Sequence, residues 1–280
     1  MAPLGQLKGL AAGLLACALA PALACAQSQP PARSLGQPLG QALSHPLTCD
    51  APKELTRLTL PLPRTAERLA RHLPLTIVAI GSSSTYGAGA SSRDKSYPSQ
   101  LQVYLQARFP GSAITVINRG VNGEEAREML ARFGEAVVKQ RPDLVIWQVG
   151  TNSVLRDRDI TPTSPLILQG VTQLKALGID VVMLDPQYVP KVLAKADAQE
   201  MVDLISAAAK KADVDLVQRF AIMRYWVQHE HMTFADFTSP DQLHMNDWSY
   251  ACLAKIIGGS IAEAAQRNIA SAQVHAARNQ

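Results

Sequence analysis

The sequence predicts one α/β domain built on five parallel strands, with helices on both faces of the sheet. Three observations predict it. Short apolar runs alternate with longer stretches of helical periodicity from residue 75 to residue 267. The runs, such as LVIW at 144–147 and DVVML at 180–184, are apolar throughout, as strands are when helices cover both faces. The chain has 280 residues and is 47% hydrophobic, enough for one large core or two small ones, and no internal repeat divides it.

From the N-terminus, residues 1–26 read as a signal peptide. Lys8 is the only charge before Arg33, residues 9–24 are small and apolar, and Ala24-Cys25-Ala26 offers an A-x-A cleavage pattern. That run is shorter than the roughly 20 residues a membrane span needs, and Pro21 interrupts it. Residues 27–60, rich in Pro, Gln, Gly and Ser at their start, read as a flexible arm. The domain then occupies 61–280, and the protein is expected to be periplasmic or secreted, without a membrane span.

Within the domain, LPRTAERLARHLP at 62–74 forms a short helix that Pro74 stops. Strands are expected at 75–80, 114–118, 144–149, 181–185 and 215–219. Helices are expected at 97–108, 124–139, 166–177, 197–212 and 247–267. Asn246 or Asp247 caps the last, which presents Trp248, Cys252, Ile256 and Ile257 on its apolar face. Cleavage of the signal leaves two cysteines, Cys49 and Cys252. Export favours a disulfide between them, joining the arm to the last helix.

Composition excludes several functions. The net charge of +4 is spread along the chain without a basic block, and aromatics are 5% of residues. Both argue against nucleic-acid binding. His229 and His231 form HEH, but the sequence offers no matching further ligands, so neither a metal nor another cofactor is expected. Nothing in the sequence indicates an oligomeric state.

In open parallel sheets, ligands bind beyond the carboxyl ends of the strands. Four segments there carry chemistry. GSSST at 81–85 follows the first strand, NRGVNGE at 118–124 the second and GTNS at 150–153 the third, while SPDQLHMND precedes the last helix. A phosphate loop does not fit the first, because no Gly-Lys-Ser/Thr follows Gly81 or Gly87. A nucleophile fits all four. A serine hydroxyl needs an adjacent base, which His244 can be, and Asp241 can orient the imidazole. Gly120 offers an unhindered N–H and Asn152 an amide for a developing oxyanion. An imidazole base must be neutral, so activity should rise through about pH 6 to 7. Gln187 and Tyr188, in DPQYVP after the fourth strand, are candidates for substrate contact.

Together these blocks resemble the SGNH hydrolases, the GDSL esterase/lipase family. That family carries Gly-Asp-Ser, then Gly, then Gly-x-Asn, then Asp-x-x-His. The chain has Gly81-Ser82-Ser83, Gly120, Gly150-Thr151-Asn152 and Asp241-Gln242-Leu243-His244, over roughly residues 75 to 268. GSSST resembles an exported subgroup of the family. The resemblance implies a flavodoxin-like three-layer α/β/α sandwich. It also implies a Ser83–His244–Asp241 triad, with Ser83 N–H, Gly120 N–H and Asn152 as oxyanion donors. Ser82 departs from the family, which has an aspartate there. The expected activity is a serine esterase acting on short-chain or acetyl esters, O-acetylated saccharides among them. Hydrolysis of longer acyl chains, O-acyl transfer and non-catalytic carbohydrate binding on the same fold stay open.

Overall fold

In a computed structural model of the chain, five strands pair in parallel: β1 (Leu75–Gly81), β2 (Ile114–Gly120), β3 (Leu144–Gln148), β4 (Asp180–Leu184) and β5 (Asp215–Val217). Their order is β2-β1-β3-β4-β5, the doubly wound order of flavodoxin-like folds. The structure describes residues 47–278, with side chains to residue 270. The expected signal peptide and the first part of the expected arm lie outside the described residues. No helix among these is long and apolar enough to cross a membrane.

Packing follows from strand composition. Ile77, Val78, Ala79, Ile80 and all of β3 are inaccessible to solvent, because helices cover both faces there. On one face the long helix Asp247–Arg278 packs on Tyr97–Arg108 and Pro63–Ala70. On the other, Thr163–Ala176 packs on Ala198–Ala212 and Ala126–Ala131. β2 is apolar only at its start and half-exposed beyond Ile114, since it forms an edge of the sheet. Asn246 caps the long helix, accepting the Ser249 N–H at 3.0 Å while Ser249 Oγ accepts the Asn246 N–H at 3.1 Å.

Three segments differ from the sequence expectation. The helix expected over 124–139 is broken into Ala126–Ala131, Phe133–Ala136 and a 3₁₀ turn, Val138–Gln140. Gly134 weakens it, and Arg132 at the break turns its guanidinium onto the Arg119 carbonyl. Arg219–Gln228 is helical where the sequence reading assigns nothing beyond 219. Its strong helix formers alternate with aromatic and β-branched residues of lower propensity, and burial of Phe220, Ile222, Met223 and Trp226 decides the matter.

Residues 47–60, expected in a flexible arm, are packed on the domain. Leu58 is 1% exposed, and Asp215 accepts the N–H groups of Thr59 and Leu60, each at 2.9 Å. Trp226 Nε1 donates to the Asp50 carbonyl. A disulfide joins Cys49 to Cys252, with Cα atoms 5.4 Å apart and a sequence separation of 203. A few anchors thus hold a segment whose composition lacks periodicity.

Beneath the carboxyl end of the sheet lies a buried polar layer. Arg219 is inaccessible to solvent. It donates Nε to the Asp185 main-chain carbonyl and Nη2 to Gln187 Oε1, both at 2.9 Å. The Asp185 carboxylate accepts the Phe220 N–H at 3.0 Å. Burial pushes this carboxyl up to about 7, against the Phe220 N–H and the Arg219 charge, which pull it down.

Two predictions arise from the fold. Cys252→Ser should lower the unfolding free energy by about 2–5 kcal/mol in urea titrations, and adding Cys49→Ser should cost little more. Asp185 holds a proton in the folded state that it lacks unfolded, between its ordinary and raised values. Stability should therefore fall as pH rises through that window. The urea midpoint should drop more for the wild type than for Asp185→Asn between about pH 5 and about pH 8.

Candidate active site

Strand order places the switch point between β1 and β3, and the expected nucleophile lies there. β1 ends at Gly81, and after Ser82 the chain turns at once into a short helix, Ser83–Tyr86. The Ser82 carbonyl closes this turn by accepting the Thr85 and Tyr86 N–H groups at 3.1 and 2.9 Å. Ser82 and Ser84 are each 1% exposed, and both hydroxyls are bonded inward, to Gln148 Oε1 at 3.0 Å and Gln187 Oε1 at 3.4 Å. Ser83 alone of the three faces the rim, half-buried. Its Oγ lies 2.9 Å from His244 Nε2, across 161 residues of sequence.

His244 and Asp241 share a tight loop before the long helix. Thr238 and Met245 pair across its neck, and the Ser239 N–H donates to the His244 carbonyl at 2.8 Å. His244 Nδ1 lies 2.5 Å from Asp241 Oδ2. The other carboxylate oxygen accepts the N–H groups of Leu243 and His244, each at 2.9 Å, and the Ser239 hydroxyl at 2.7 Å. Burial pushes the Asp241 carboxyl up, but these bonds from His244, Ser239 and Leu243 outweigh it and hold it well below the usual carboxylate range. Asp241 is therefore ionised at any pH at which an imidazole base works.

The oxyanion donors fall out differently from the sequence reading. The Ser83 N–H opens a helix, where no intrahelical acceptor exists. Asn152 donates one Nδ2 hydrogen to the Glu124 carbonyl at 2.8 Å, and its second remains for a ligand. The Gly120 N–H, expected as a donor, is already given to Asn118 Oδ1 at 2.9 Å. Gly120 serves close approach instead: a Cβ there would lie 2.0 Å from the Tyr86 nitrogen. Three residues on, the Gly123 N–H has no acceptor among the described residues. The second glycine of NRGVNGE was the signal for it.

Charge pairs fix the loop between these donors. Arg132 Nε donates to Glu124 Oε2 at 2.7 Å, and its Nη2 to the Arg119 carbonyl at 2.8 Å. Arg156 pairs with Glu125 at 2.5 Å, and Ser153 also donates to Glu125. Loops after β2 and β3 are thereby tied into one wall.

Gln187, expected to touch substrate, is 1% exposed and does not reach the rim. Its Oε1 accepts Thr151 Oγ1 at 3.1 Å as well as Ser84 and Arg219, and its Nε2 donates to the Leu243 carbonyl at 3.1 Å. It links the nucleophile helix to the histidine loop from below. Half-buried Tyr188 packs edge-on against Phe220, with ring centroids 5.0 Å apart.

The chain is similar to several known esterases. The chain is 41% identical to an acetylxylan esterase of Geobacillus stearothermophilus over 56 residues, which are 20% of the chain and 26% of that protein. It is 26% identical to an arylesterase of Vibrio mimicus over 164 residues, 59% of the chain and 77% of the relative. Among solved structures, a two-domain esterase active on acetylated mannans superposes with a TM-score of 0.63 at 21% identity, over 76% of the chain and 55% of that protein. The Geobacillus stearothermophilus acetylxylan esterase superposes with a TM-score of 0.56 at 20% identity, over 67% of the chain and 94% of that protein. The chain thus spans about a quarter of the first relative and about half of the two-domain esterase. Residues 48–267 match the Non-GDSL lipase-like family, and the chain belongs to that family of SGNH-type hydrolases.

Proposed function

We propose that the chain is an exported serine esterase that removes acetyl groups from saccharide esters. The observation that carries this reading is the continuous relay from Asp241 through His244 to the Ser83 hydroxyl at the switch point of the sheet. In the forward step Ser83 Oγ attacks the ester carbonyl while His244 Nε2 takes its proton. Asp241 holds Nδ1 protonated and stabilises the imidazolium. The carbonyl oxygen gains charge against the Ser83 and Gly123 N–H groups and the second amide hydrogen of Asn152. His244 then gives its proton to the departing alcohol. A water molecule, deprotonated by His244, attacks the acyl-enzyme, releasing acetate and restoring Ser83.

Substrate class rests on two supports. The relatives act, by name, on acetylated xylan, acetylated mannan and aryl esters. Open grooves flank the loop bearing Asp241 and His244, one with Ser91, Thr238 and Asn246 beside Trp248, the other with Thr238 and Gln242 beside Phe234. Open grooves with an aromatic ring on one side leave room for an extended substrate such as a sugar chain. The Cys49–Cys252 bridge supports an oxidising compartment, in keeping with export.

A p-nitrophenyl ester series from acetate to palmitate tests the reading. Acetate should be turned over fastest, a fluorophosphonate should label Ser83, and Ser83→Ala should cost on the order of 10⁴ to 10⁶ in kcat. Retained activity in Ser83→Ala would refute the mechanism. Asp241→Asn keeps the loop acceptor but presents an amide to His244 Nδ1, favouring the wrong tautomer. It should cost about 10³ to 10⁴ in kcat and also lower the melting temperature, because the donors of the loop lose a charged acceptor.

A further inference from the structure

The geometry points to Gln148 as a positioning residue: its amide oxygen gathers three donors of the nucleophile turn and anchors that turn without the charge of the aspartate that the SGNH motif carries at position 82. This rests on the Ser83 reading above. Gln148 is the last residue of β3 and is inaccessible to solvent. Its Oε1 accepts the Ser82 N–H at 2.9 Å, the Ser82 hydroxyl at 3.0 Å and the Thr85 hydroxyl at 3.3 Å. Thr85 Oγ1 is itself 3.3 Å from the buried Tyr97 hydroxyl. The residues on either side of Ser83 are thus drawn onto one atom.

Three further observations specify the role. The orientation of the amide is dictated by chemistry, because the Ser82 N–H can only donate and must face oxygen. Gln148 Nε2 then has no partner although buried, so every hydrogen bond this side chain makes is made by its oxygen. The pocket has no slack either: a Cβ at Gly81 would lie 2.2 Å from Thr85 Oγ1 and 2.7 Å from Gln148 Oε1. An aspartate at 82 would set its carboxylate against that same oxygen, acceptor against acceptor. Ser82 and Gln148 are therefore a matched pair: with an acceptor on β3, position 82 must supply a donor. What the pair holds in place is the Ser83 N–H and the direction of Oγ, both of which matter most in the transition state.

The test compares Gln148→Met, which fills the space without an acceptor, with Gln148→Glu, which keeps the acceptor oxygen but exchanges the unpartnered NH₂ for a second, ionisable oxygen. With p-nitrophenyl acetate at about pH 8, Gln148→Met should lower kcat by about 10- to 100-fold with KM within about twofold. Gln148→Glu should recover kcat to at least about fivefold above Gln148→Met, short of wild type by what its added charge costs the oxyanion. Equal losses in both, or wild-type kcat in a folded Gln148→Met, would overturn the inference. If Gln148→Met does not fold, Ser82→Ala/Thr85→Val removes two of the three donors from the other side. That pair should lower kcat about tenfold at constant KM, and an unchanged kcat would overturn the idea equally. Ser83→Ala is run alongside: an active Ser83→Ala defeats the triad, whereas a dead Ser83→Ala with a fully active Gln148→Met defeats only Gln148.

Discussion

Everything at the rim serves one contact, the 2.9 Å approach of His244 Nε2 to Ser83 Oγ. A serine hydroxyl is a poor nucleophile unless a base stands within hydrogen-bond reach, and here the two groups come from opposite ends of the domain. Their separation must be set to a fraction of an ångström by elements that share no local sequence. The sheet sets the serine. The loop before the long helix sets the histidine. The rest of the site is the means of making those two elements keep a constant distance.

That means is polar and lies beneath the surface. Gln187 reaches from the segment after β4 to the nucleophile helix, through Ser84, and to the histidine loop, through the Leu243 carbonyl. Arg219 backs it from below, a buried cation whose Nε and Nη2 are committed to main chain and amide. Such bonds cost little net stability when every partner is present and a great deal when one is missing. They are suited to specifying a geometry rather than adding free energy. The aliphatic core supplies the stability, and this layer supplies the register between Ser83 and His244.

Much of this was legible in the sequence, and what was not has a common cause. All five strands and the order of the four blocks follow from local periodicity and from strand-end glycines. His244 and Asp241 are readable as base and orienter because those roles demand particular residue types at the carboxyl rim, whereas Ser83 is singled out from three adjacent serines by the resemblance to the SGNH motif. Gln187 misled because a glutamine after a strand looks like a substrate contact, and only burial reveals a brace. Gly120 misled because the donor state of its N–H depends on Asn118, two residues back, folding over to accept it. The packed 47–60 segment was hidden because Asp215, 156 residues from Thr59, holds it. In each case the deciding partner is distant or conformational, and periodicity carries no record of it.

The neutral nucleophile turn also bears on the electrostatics of the reaction. In the proposed reaction an ester carbonyl becomes an oxyanion beside Ser83, and any fixed negative charge in that low-dielectric corner opposes it. An aspartate at 82 would be such a charge next to the reacting atom. Ser82 with Gln148 anchors the same turn with dipoles alone. The carboxylates that remain nearby are balanced, Glu124 by Arg132 and Glu125 by Arg156. Asp241 is left as the site's fixed anion, placed behind the imidazole, where its charge favours the imidazolium formed in the transition state. Negative charge is thus concentrated on the base side of the site and removed from the oxyanion side. That division favours charge separation between His244 and the substrate oxygen, and the exchange of aspartate for serine at position 82 strengthens it.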